Sequence, residues 1–189
     1  MKKLLFYPLY IATVFFVLAA CTPQQEATEQ AEEINEERFQ NDDDMSDIAE
    51  EITEVYGVNH MILEIAKKAE QIGGLDQALM DFNNKAVSDH QSIQEQLKQL
   101  ANQYNMALPE NITYDEQSKV GKLASLEGTE FAKEYAETME DASEDMERLL
   151  INLEDELEGN AEDITAFVQK TIPLVKEHEN IVDEMDENM

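Results

Sequence analysis

The stretch "LDQALMDFNNKAVSDHQSIQEQLKQLANQY", residues 75–104, decides how the rest of the chain is read. Leu75, Leu79, Phe82, Ala86, His90, Ile93, Leu97, Leu100 and Tyr104 recur at intervals of three and four, the period of one helix face. The other faces are Gln, Asn, Asp, Glu, Lys and Ser. The stretch therefore predicts one long amphipathic helix. A histidine stands in the apolar stripe, with Asp89 beside it.

The same period recurs three times. Before this stretch, Ile48, Ile52, Val55, Val58, Ile62, Ile65, Ala69 and Ile72 predict a helix over about 45–71, closed by Gly73 and Gly74. After it, Phe131, Tyr135, Met139, Ala142, Met146, Leu149, Leu150, Leu153 and Leu157 predict one over about 129–158. Ile164, Val168, Thr171, Val175, His178, Val182 and Met185 predict the last, with Asn160 as its N-cap and Pro173 as a kink point. Between the second and third lies "TYDE", where Thr113 and Glu116 form a capping-box pattern for a short helix over about 114–127. No period-2 strand pattern of useful length occurs. The expectation is an all-α, antiparallel four-helix bundle over residues 45–189.

Charge limits the partners. The 189 residues carry 43 Asp+Glu against 13 Lys+Arg, a formal net charge of −30. Nucleic acid is excluded, because phosphate binding needs a basic footprint. Attraction to anionic headgroups is excluded in the same way. Self-repulsion on this scale is relieved by screening, which suits a saline setting.

The N-terminus reads as an address. Lys2 and Lys3 precede a largely apolar, uncharged run from Leu4 to Ala20, which ends in "LAAC". This is the layout of a signal peptide over residues 1–20. The small residues before Cys21 resemble the bacterial lipobox, in which cleavage falls between Ala20 and Cys21 and the thiol is diacylated. Several acyl chains, each adding ~0.8 kcal/mol per buried CH₂, anchor durably to a lipid bilayer. Losing Lys2 and Lys3 makes the mature chain more negative by two charges. The expected location is the bacterial cell envelope. Thr22 instead of an aspartate after the cysteine favours the outer membrane in a Gram-negative cell. Residues 21–44, rich in Gln, Glu and Asp and poor in apolar side chains, are expected to form a disordered acidic tether, in which rods of local helix around 26–38 would not change the role.

Three histidines are the candidates for chemistry. His60 falls off the stripe of its helix and is expected to face solvent. His90 and His178 fall within the stripes of two different helices, so both are expected to point into one core, as ligands of bundle metal sites do. Imidazole suits Zn, Cu and Fe, so a divalent transition metal is the cofactor this pair would take. Asp89, mostly off the inward face, is placed as a carboxylate supporting His90 from behind. Glu177, Asp141 and Asp145 lie outside the stripes. The competing reading is that each histidine is a hydrogen-bonded core residue. Enzymatic constellations are missing from the sequence: the lone cysteine is committed to lipid, and neither a nucleophile elbow nor a phosphate loop occurs.

Five stretches in order are similar to a bacterial exported family called domain of unknown function forty-one forty-two: "LEIAKKA" (63–69), "FNNKAVSDHQSIQEQLKQLA" (82–101), "ALP" (107–109), "KLASLEGTEFAKEYAETM" (122–139) and "TIPLVKEHENI" (171–181). The resemblance implies a ferritin-like four-helix architecture and export. It also implies an inward glutamate on the first helix and a second Asp-His on the third. Those positions correspond here to Ile62 and Ala142, which leaves His90 and His178 of four ligand positions. The expected role is a lipid-anchored, non-enzymatic binding or interaction module. A metal-binding or oxidative-stress protein using the two histidines is the rival. An acidic structural spacer adapted to salt is the third reading.

Overall fold

The computed structural model describes residues 25–157 and 161–186. Among them are six helices and no strand: α1 (Gln25–Phe39), α2 (Asp43–Ile72), α3 (Gln77–Tyr104), α4 (Tyr114–Leu123), α5 (Gly128–Glu156) and α6 (Glu162–Asp186). The signal peptide, Ala20, Cys21 and the Asn160 cap lie outside the described residues.

Helix ends follow local chemistry. The Asp42 side chain accepts from the Met45 amide and starts α2. The Asp76 side chain accepts from the Leu79 amide, so α3 starts two residues later than the apolar stripe suggests. Thr113 and Glu116 make both halves of the capping box. Gly73 ends α2 at φ 70°, and Asn105 ends α3 at φ 58°, left-handed values that a glycine and an asparagine tolerate. The short helix stops at Leu123 and not at 127. The Ser125 and Leu126 amides then bond three residues back, to Lys122 and Leu123, and close the turn. α6 runs unbroken through Pro173.

The four long helices form the bundle that the stripes predict, with a core that includes Ile48, Ile52, Ile62, Leu97, Phe131, Tyr135, Met139, Met146, Val168, Val175 and Val182. Each neighbouring pair is antiparallel. Along α3 and α6, Gln103 bonds Asp163, Gln96 bonds Lys170 and Lys85 bonds His178. Between α2 and α5, Glu51 meets Asn152 and Glu54 meets Arg148. The most extensive pairing is α5 with α6, and α2 packs on both α3 and α5. Hence α3 and α5 stand diagonally and run the same way. The chain between them, 105–127, must cross back to the other end of the bundle, and α4 is part of that crossover. One long crossover is the ferritin-like connectivity; an all-hairpin bundle has none.

α1 is the local helix that the sequence allows around 26–38, and the tether expectation is corrected in that this helix docks on α2. Ala31 and Asn35 are buried. The Asn35 amide nitrogen donates to Thr53 Oγ1 (3.2 Å) and to the Ala107 carbonyl (3.1 Å), and its oxygen accepts from the Ala107 amide (2.6 Å). Arg38 caps the far side by donating to the Asn105 carbonyl at 2.8 Å. Apolar content alone missed this, because the docking is carried by one asparagine satisfying a backbone amide and carbonyl in the crossover. The folded unit therefore begins well before residue 45.

Candidate functional site

The two inward histidines meet. His90 of α3 and His178 of α6 are fully buried. Their facing nitrogens, Nε2 of His90 and Nδ1 of His178, are 3.2 Å apart. The ring centroids are 5.2 Å apart, and the Phe82 ring stands edge-on to His178 at 5.6 Å.

Asn59 of α2 holds the other end. Its amide nitrogen donates to the His90 carbonyl (3.1 Å) and to Gln94 Oε1 (2.6 Å). Two acceptors fix which end of the amide is nitrogen. The Asn59 oxygen, 2.8 Å from His90 Nδ1, must then accept. So His90 carries its proton on Nδ1 and presents a lone pair at Nε2. Facing that lone pair, His178 Nδ1 must be the donor. One backbone carbonyl thereby dictates the tautomers of two rings.

On the far side of His178, Nε2 is left as the acceptor. It lies 3.1 Å from Lys85 Nζ and 3.0 Å from Asp89 Oδ2, and Lys85 is itself 2.9 Å from that carboxylate. A neutral ring and a carboxylate both accept, so the Lys85 ammonium is what lets them stand together. Lys85 also reaches Glu177, at 3.6 Å. Asp89 therefore supports His178 on the opposite helix and not its neighbour His90, which corrects the expected pairing. Successive helical residues point about 100° apart, so Asp89 cannot share the direction of His90.

Burial pushes His90 down to about 3, helped by His178 and opposed by Asp89. Burial, then the Lys85 charge, lowers His178, and Asp89 opposes. For Asp89, burial acts upward, but Lys85, and after it the neighbouring His178, hold it below its ordinary value. Both rings are neutral at neutral pH.

The remaining candidates disperse. His60 is half-buried, edge-on to Tyr56 at 6.1 Å and away from the pair, so it does not simply face solvent as expected. Asp145 pairs with Arg148, Asp141 is exposed, and Glu177 sits at the mouth beside Lys85. Ile62 and Ala142 are buried and bring no polar atom. Among the described residues, no group of three or more His, Cys, Asp or Glu is arranged to hold a metal ion. Asn59, Gln94 and Lys85 were not singled out from the sequence. Asn59 fits the first stripe as well as Val58 does, yet Asn59 is fully buried and Val58 is not.

This is an all-α bundle of single-crossover connectivity with a polar cluster buried at its centre. The family model described as Domain of unknown function (DUF4142) matches residues 35–185, so the chain belongs to that family. No curated protein matches the chain, and no solved structure does.

Proposed function

We propose that the chain is a lipid-anchored protein of the bacterial cell envelope that presents its bundle as a non-enzymatic binding module. The "LAAC" sequence, with the chain's one cysteine behind a positively charged start and an apolar run, carries the anchor. Among the described residues no helix is long and apolar enough to cross a membrane, which is compatible with attachment by acyl chains. Metabolic labelling with a fatty acid should mark the chain and fail to mark Cys21→Ala. Label persisting in that variant overturns the anchor.

The ligand class follows from one distance. Two ring nitrogens 3.2 Å apart on different helices, one bearing a lone pair and the other able to present one once its proton moves across the ring, are the start of a metal site. Metal analysis of the purified chain tests this: stoichiometric metal that vanishes in His90→Ala/His178→Ala supports it, and its absence from the parent removes it.

A further inference from the structure

We propose that the His90–His178 pair takes one soft monovalent cation of the Cu(I) or Ag(I) type, in preference to a divalent ion. This rests on the reading of the pair as a ligand site.

Donor number comes first. A structural zinc needs four ligands and a catalytic one three plus water. Here two ring nitrogens converge, and among the described residues no set of three or more His, Cys, Asp or Glu is arranged to hold a metal. Closed-shell d¹⁰ monocations accept two nitrogen donors. Imidazole is a suitable ligand for copper.

Charge comes second. Both rings are neutral and fully buried, and Asp89 is the carboxylate behind them. Lys85 stands against two carboxylates, Asp89 at 2.9 Å and Glu177 at 3.6 Å, so one negative charge is left over and balances one positive charge on the rings. A second would be left uncompensated in the core, where unpaired charge is costly.

The proton accounting closes. Before binding, Nδ1–H of His178 points at Nε2 of His90. For His178 to ligate through Nδ1, that proton moves to Nε2 of the same ring, with no net release. Nε2–H then donates to Asp89 Oδ2, already 3.0 Å away, in the carboxylate–histidine–metal arrangement. Lys85 loses its acceptor on the ring and retains Asp89 and Glu177, 2.9 and 3.6 Å away. His90 needs no change, because Asn59 already holds its proton on the far nitrogen.

Room comes last. Two metal–nitrogen bonds of roughly 2 Å set a ring-nitrogen separation near 4 Å for a linear pair. The present 3.2 Å must open by less than an ångström. The two rings lie on α3 and α6, whose seam is joined by polar side-chain bonds at Gln103–Asp163, Gln96–Lys170 and Lys85–His178. Such bonds re-form after a small slide more easily than interdigitated core side chains do. The mouth carries Asp89 and Glu177, and the strong negative field of the chain concentrates cations there.

The test is the full-length chain labelled with ¹⁵N-histidine and titrated with Ag(I), with ascorbate-reduced Cu(I) under nitrogen, and with Zn(II). Ring ¹⁵N shifts separate the pair from methionine or cysteine sites. One equivalent of Ag(I) or Cu(I) should move His90 Nε2 and His178 Nδ1, and an equal concentration of Zn(II) should not. Asn59→Ala and Asp89→Asn should each weaken the response ~10–100-fold, the usual effect of removing a group that orients a ligating histidine. Unmoved ring nitrogens with both monovalent ions overturn the proposal. Rings that respond first to Zn(II) overturn the monovalent preference while leaving a metal site standing. Neither outcome touches the lipid anchor, which is read by labelling at Cys21.

Discussion

Asn59 grips His90 twice, donating to its backbone carbonyl at 3.1 Å and accepting from its ring at 2.8 Å. The asparagine, on α2, therefore decides the ring state on α3 and, through it, on α6. Truncating Asn59 to alanine leaves His90 Nδ1–H and Gln94 Oε1 without that partner inside the core. An abandoned buried polar group costs about 1–3 kcal/mol. Asn59→Ala should lower unfolding stability by about 2–4 kcal/mol with the cavity included. Urea titration followed by circular dichroism measures it, and a loss under about 0.5 kcal/mol would show that the bonds matter little.

The two histidines make stability depend on pH with a definite sign. Both are lowered in the folded state, His90 to about 3. The unfolded chain, with histidines near 6.5, then binds more protons than the folded one below that pH. Their contribution is complete above about pH 6.5 and is lost as pH falls towards the folded values, at ~1.4 kcal/mol per unit per histidine. Glu32, Glu51 and Glu54 act oppositely, since burial and then neighbouring glutamates raise them and protonation relieves them. Comparing the parent with His90→Gln isolates one histidine. The stability difference between the two should shrink as pH drops from 7 to 5, and a constant difference would contradict a neutral buried His90.

Legibility followed chemistry. The four long helices were visible because a stripe at intervals of three and four is a property of the sequence itself. So was the inward direction of His90 and His178, which lie on those stripes. Asn59 was not, because Val58 satisfied the same spacing and an apolar residue is the natural choice for a core. Its burial depends on the His90 carbonyl, a backbone atom 31 positions away. The partner of Asp89 was misplaced for a similar reason, since proximity along the chain suggested His90 and the bundle supplied His178. Docking of α1 was hidden because it rests on one asparagine and a crossover amide. The crossover itself had a signal, the long 105–127 connection, whose meaning required knowing which helices are neighbours.

Salt should stabilise the protein. The net charge is −30, and acids face acids across the surface: Glu50 and Glu54 with Glu32 between α1 and α2, and Glu140 with Asp183 and Asp186 between α5 and α6. The Debye length falls from about 30 Å at 0.01 M to 3 Å at 1 M, which removes most such repulsion. Burial and the hydrophobic core are not weakened by the same change. The melting temperature should rise steadily between 10 mM and 1 M NaCl, by several degrees on the basis of ~1 kcal/mol shifting a domain of this size by ~2–4 °C. A melting temperature that is flat or falls over that range would show that the acidic surface is not stressing the fold.

The docking of α1 depends on Asn35, so its release should be separable from unfolding of the bundle. Asn35 is the partner of both the amide and the carbonyl of Ala107, and the rest of α1 presents mostly Glu and Gln to water. An isolated helix of this length is marginal without a tertiary partner. In Asn35→Ala, hydrogen exchange of the backbone amides over Gln25–Phe39 should accelerate by at least tenfold, corresponding to ~1.4 kcal/mol or more of lost docking. Protection at Ile52, Leu97, Met146 and Val175 in the core should change far less, because none of these residues contacts α1 through that asparagine. Arg38→Ala removes only an exposed bond to the Asn105 carbonyl and should have a smaller effect on the same amides. Equal acceleration across α1 and the core would mean that α1 and the bundle unfold as one unit. Unchanged exchange in α1 would mean that Ala31 and the remaining contacts hold it without Asn35.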